Sequence, residues 1–110
     1  MPNQSLDLTF QALGDATRRA IVARLAEGPL SVSELAKPLP MSLPAVLQHL
    51  AVLEGAGLVA SRKSGRVRTC RLEPAAVARA EAWLGAQRGE WERRLDRLGD
   101  YLSSNQGETK

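Results

Sequence analysis

Among 110 residues there is one cysteine, Cys70, and one histidine, His49. A single cysteine excludes an internal disulfide framework and suits a reducing compartment, so the sequence reads as cytoplasmic. Zinc sites need several nitrogen or sulfur ligands, and one of each kind per chain falls short. Aromatics are scarce: Phe10, Trp83, Trp91 and Tyr101 are all of them. The core must therefore be aliphatic. No apolar run approaches the roughly 20 residues that span a bilayer. The opening MPNQSLDLTF has no basic region followed by an apolar one, so a secretory signal is not expected there. Nucleophile elbows and glycine-rich phosphate loops are missing too, and no His–acid arrangement exceeds chance. These absences predict no enzyme, no cofactor, no metal site and no membrane partner.

The length suits one domain. Net charge is only +3, but its distribution is uneven. Residues 1–73 carry nine basic and six acidic side chains; residues 74–110 carry six of each. The excess concentrates in VASRKSGRVRTCRL, residues 59–72, which hold five Arg or Lys and no acid. The stretch reads as two strands around a Ser64-Gly65 turn. A local basic patch of this kind favours a polyanion, although charge also protects an exposed strand edge from pairing.

Leu6, Phe10 and Leu13 mark a first amphipathic helix. Asp15 can cap a second, which Gly28 can end. Ser31 and Glu34 have capping-box spacing at the start of a short third helix, and Pro38 and Pro40 stop it. Ser42 then caps a fourth helix with Pro44 in its first turn, and Gly57 ends it. A long last helix runs from Pro74 to about Leu102, leaving SSNQGETK as a frayed tail. Residues 31–57 thus read as a helix-turn-helix and residues 58–73 as a basic wing.

On a helical wheel, Val46, Leu47, Leu50 and Leu53 cluster within about 60–80° of Leu43 and form a buried stripe. Pro44, Ala45, Gln48 and Val52 point the other way, with His49 at the border. A face of small residues with one glutamine and no charge fits a DNA major groove. Gln pairs with an adenine edge, and Ala or Pro can touch a thymine methyl. Ser42, at the helix N-terminus, suits a phosphate.

The ordered set FQALGDATRRAIVARLAEGPLSVSELAKPLPMSLPAVLQHLAVLEGAGLV followed by RKSGRVRTCRLEP resembles the ArsR/SmtB family of winged helix-turn-helix repressors. The similarity extends over about residues 6–102. It is nearest to the branch whose last helix carries a W-L…W-E-R-L-D-R-L pattern, here Trp83-Leu84 and Trp91 to Leu98. The resemblance implies a mainly α fold with a small β-hairpin, ordered α-α-α-α-β-β-α, in one domain over residues 1–104. It implies a homodimer joined through residues 5–14 and 74–103, with Leu6 and Phe10 on the first helix. It implies recognition helices in successive major grooves of a palindromic operator, contacted by Ser42, Leu43, Pro44, Ala45, Gln48 and His49. Arg62, Lys63, Arg66 and Arg68 would be the wing contacts.

Metal-sensing relatives place paired Cys on the third helix, or His and acidic ligands on the last. SVSELAKPLP has no Cys or His, and the last helix has acids alone, so a family-type metal site is not expected. In the last helix Leu84, Trp91 and Leu98 recur every seven residues, as do Leu95 and Leu102, a 3-4 spacing that makes a seam for a partner helix. Arg66, Arg68, Cys70 and Leu72 alternate onto one side of a strand. Guanidinium groups there would lower the Cys70 thiol pKa and make a redox-responsive repressor; the alternative is an apolar filler. Two further readings stay open: a repressor with an unknown small-molecule effector, and a protein-interaction module without specific DNA binding.

Overall fold

Asp15 starts a helix because its carboxylate accepts the Arg18 backbone N–H at 3.0 Å. That satisfies one of the amide donors every helix N-terminus leaves unpaired. The computed structural model describes residues 4–108, and the side chains of residues 5–104. In chain order the elements are α1 (Gln4–Ala12), α2 (Ala16–Leu25), β1 (Leu30–Ser31), α3 (Val32–Ala36), α4 (Leu43–Gly55), β2 (Val59–Ser64), β3 (Val67–Leu72) and α5 (Pro74–Glu108). Residues up to Ala80 form one compact unit, and those from Glu81 onward form a second.

Local chemistry sets most boundaries. Ser31 and Glu34 make a reciprocal capping box on α3, with bonds of 3.0 and 3.1 Å. Ser42 caps α4 by accepting the Ala45 N–H at 3.3 Å. At the other end of α4, Gly57 has φ +75°. The Leu58 N–H donates to the Leu53 carbonyl and the Gly57 N–H to the Glu54 carbonyl, both at 3.0 Å. These two bonds are the Schellman pattern, and the left-handed residue they require is a glycine.

The carboxyl of Asp15 is held below its usual pKa, first by the Arg18 backbone hydrogen bond. A depressed carboxylate adds stability at pH values above the unfolded pKa of about 4, and that stability is lost as pH falls through the lowered folded value. Asn caps as well as Asp but does not titrate. Asp15→Asn is therefore expected to keep the neutral-pH urea midpoint and to weaken its fall below about pH 4. An unchanged acid limb would show that this cap does not contribute to it.

Ile21, Leu25, Leu35, Val46, Leu50, Leu53, Leu58, Val59 and Cys70 form the core, which contains no aromatic side chain among the described residues. The aliphatic expectation holds there. Several other expectations are corrected. The hairpin is part of a three-stranded antiparallel sheet ordered β1-β3-β2, because Leu30 pairs with Cys70 and Ser31 with Thr69. Ser64 pairs with Val67, so the turn residues are Gly65 and Arg66, not Ser64 and Gly65. Gly65 has φ +61° and Arg66 does not, which fits the type II′ hairpin turn. Helix α2 stops at Leu25, three residues before Gly28. On α1 the fully buried positions are Thr9 and Ala12, while Leu6 and Phe10, and Leu13 just past its end, are half-buried. Helix α5 continues to Glu108 where a frayed tail was expected from Ser103. Residues 103–108 hold no proline, so nothing must break the helical ladder. Residues 109–110 of that tail, and residues 1–3 of the expected domain, lie outside the described residues.

Candidate nucleic-acid interface

Helix α3 is locked onto α2 by one arginine. Arg24 donates to the carbonyls of Leu35 and Glu34, each at 3.0 Å, which satisfies acceptors at the C-terminal end of α3. Helix α4 follows the turn. It buries Val46, Leu50 and Leu53 and leaves Leu43, Pro44, Leu47, Gln48, Ala51 and Val52 exposed; Ala45 is half-buried. The exposed face carries no charge along its first three turns.

The wheel expectation is right for three positions and wrong for two. Leu43 is 53% exposed and Leu47 37%. Leu47 lies about 120° from buried Leu53 at 100° per residue, at the edge of the stripe. His49, at the border of that face, is half-buried. Its Nδ1 stands 3.3 Å from Arg18 Nη1 and 3.8 Å from Asp15 Oδ2. A guanidinium only donates, so Arg18 is the donor in that contact. Arg18 also donates Nε–H to the Ala12 carbonyl at 2.6 Å. His49 therefore joins α4 to the start of α2 and the end of α1.

On the wing, Arg62, Lys63 and Arg66 are exposed, with Arg66 at the turn. Arg68 is placed differently. Its Nε–H donates to Ser61 Oγ at 2.9 Å, and its Nη2 bonds Glu54 Oε1, the last acid of α4. The Ser61 hydroxyl donates to the same Glu54 oxygen at 2.8 Å. This clamp ties the wing to the recognition helix, and Glu54 balances the Arg68 charge. The sequence reasoning missed it. The signal was the lone acid on α4, the only charge on that helix.

Cys70 is fully buried on the central strand, between Leu30 on β1 and Ser61 on β2. Burial pushes its thiol pKa up, outweighing the nearby Arg68. A raised pKa and no solvent access argue against a redox thiolate and for the apolar filler. Among the described residues no group of three His, Cys, Asp or Glu is placed to hold a metal ion. No described helix is long and apolar enough to cross a membrane.

Of the residues assigned to a dimer contact, Leu6 and Phe10 are half-buried on α1. Leu84, Trp91, Leu95 and Leu98 are all exposed along α5, Trp91 by 60%. Leu102 continues the same exposed stripe.

Residues 13–62 match the family model described as a helix-turn-helix domain. The chain is 56% identical over 75 residues to the HTH-type transcriptional regulator Rv2034 of Mycobacterium tuberculosis, covering 68% of this chain and 70% of that one. The crystal structure of the ArsR family transcriptional regulator RHA00566 superposes with a TM-score of 0.76 at 48% identity, covering 81% of this chain and 92% of that one. The homodimeric winged helix-turn-helix DNA-binding domain of Mb0332 from Mycobacterium bovis gives a TM-score of 0.63 at 27% identity, over 82% and 83% of the two chains. With a capped helix-turn-helix, a basic wing clamped to it and these likenesses together, the chain belongs to the ArsR/SmtB family of winged helix-turn-helix DNA-binding transcriptional regulators.

Proposed function

We propose that the chain is a homodimeric repressor of the bacterial cytoplasm that binds a palindromic operator. The observation that carries this reading is the uncharged exposed face of α4 beside an exposed basic wing tip. Pro44, Ala45 and Gln48 meet base edges, with Gln48 on an adenine. The Ser42 hydroxyl has its lone pair on the Ala45 N–H and keeps its own proton for a phosphate. Arg62, Lys63 and Arg66 contact the backbone, and Arg68 holds the wing in register through Glu54. Repression follows from occupancy: a dimer seated on a promoter excludes polymerase.

Homodimer formation is supported by the α5 stripe. Leu84, Trp91, Leu95, Leu98 and Leu102 leave a large apolar surface in water. A second copy would remove it at a gain of about 25 cal/mol per Å². The Mycobacterium bovis domain, a homodimer, adds weight. Trp91→Asp is expected to halve the sedimenting mass at micromolar concentration while the far-UV spectrum stays helical. A mutant that sediments as the wild type does would contradict the α5 seam.

The direct test of operator binding is fluorescence anisotropy with duplex from upstream of the protein's own gene and a scrambled control, across a salt series. Six phosphate contacts per dimer predict a slope near −5 in log affinity against log salt. A preference of about a thousandfold for one duplex establishes specific binding. Weak and equal affinity for every duplex tried would move the protein-interaction reading ahead.

A further inference from the structure

We propose that Leu43 and Leu47 read thymine C5-methyl groups, so that each half-site presents two thymines within about two base steps. The inference rests on the operator-binding reading above and names the chemistry read at the helix. It starts from a groove of about 510 Å³ between the start of α3, α4 and the wing. Leu43, Leu47, Val32 and Val67 supply its apolar lining, and Lys63 and Arg66 its unbalanced cations, since Arg68 is paired with Glu54. Val67 and Leu43 are each 53% exposed and Leu47 37%.

Exposed leucines on a small domain call for a partner that covers them. The cations beside them select a polyanion. Duplex DNA has both properties on one molecule: phosphates along the edges of the major groove, and an apolar methyl in its floor wherever thymine stands. The other base edges offer hydrogen-bond donors and acceptors, which a leucine cannot satisfy and would strip of water at a cost. Guanine is disfavoured for a second reason. Its common reader is Arg or Lys, and α4 from Leu43 to Gly55 contains neither.

Spacing sets the number. Leu43 and Leu47 are four residues apart on one face, about 6 Å along the helix axis. Successive bases on a strand are about 3.4 Å apart. Two methyls one or two steps apart therefore match two leucines. Gln48, next to Leu47 on the exposed face, adds an adenine. The expected half-site centre is built of A·T pairs.

The test starts with random-sequence duplexes selected by the full-length protein. The most enriched duplex is then synthesised with deoxyuridine replacing one thymine at a time. That exchange removes the methyl and leaves base pairing intact. At two positions per half-site it is expected to weaken wild-type binding about fourfold, the value of one buried methyl. Leu43→Ala is expected to abolish the effect at one position and Leu47→Ala at the other. Both side chains are exposed, so both variants should fold.

Uniformly neutral deoxyuridine, with the selected duplex still strongly preferred over a scrambled one, would overturn the inference and leave operator binding standing. The leucines would then belong to another occupant, such as a second protein chain. Enriched half-sites with G·C pairs at the helix-covered positions would overturn it as well. No enriched sequence at all would remove it together with the operator reading.

Discussion

Replacing Arg62, Lys63 and Arg66 together with alanine is expected to lower operator affinity about a hundredfold or more at moderate salt. The reason is counterion release. Each neutralised phosphate contributes about −0.9 to the slope of log affinity against log salt, so three contacts per subunit, six in the dimer, account for a slope near −5. The triple variant should flatten that slope toward zero. All three side chains are exposed, so its thermal midpoint should stay within the small shift typical of surface changes. Arg68→Ala supplies the contrast. Glu54 already balances that charge, so its loss should change the slope less and instead loosen the clamp between wing and α4. A triple variant with an unchanged salt slope would show that the wing does not meet the phosphates.

The second large effect lies in the core. Leu50→Ala is expected to cost about 2–5 kcal/mol, because Leu50 has no exposed surface and sits among Ile21, Leu35 and Leu53. Total stability for a domain of this kind is about 5–15 kcal/mol. The same change should lower the thermal midpoint by about 10 °C or more. Leu47→Ala, three residues earlier on the same helix, should cost only about 0.5 kcal/mol, since that side chain faces out. Both must be measured at one protein concentration, because dimerisation couples to unfolding. Equal losses for Leu47 and Leu50 would mean that the exposed face of α4 is misassigned.

That pair of leucines also marks where sequence reading stops. Both are apolar and both fall on one broad stripe of the wheel. What separates them is coverage: Leu50 is shut into the core with Val46 and Leu53, and Leu47 stays exposed. The position of that edge depends on how the neighbouring elements pack on α4, which periodicity within one helix does not contain. The same holds for His49. Its place beside the bases was a matter of angle, whereas its contact with Arg18 depends on the approach of α2.

The interactions legible from sequence are short in range. Asp15 with Arg18, Ser31 with Glu34 and Ser42 with Ala45 each join residues three apart. Their chemistry is complete within one helical turn, so residue type and spacing suffice. Gly57 belongs with them, since only the left-handed conformation closes the end of α4. Strand β1 does not. Two residues have no stable strand conformation alone, and Leu30 and Ser31 become a strand only by pairing with Cys70 and Thr69 about forty residues later.

The sequence by itself determined the helix boundaries set by caps, the aliphatic core, the basic wing and the helix-turn-helix order. Each depends on composition or on neighbours a few residues apart. Tertiary structure alone decided which leucines face out, that Arg68 is a clamp, that Cys70 is shut inside the sheet and that the hairpin has a third strand. Each of those depends on which distant side chain arrives within hydrogen-bonding or van der Waals reach. That is a property of packed elements, and no local pattern encodes it.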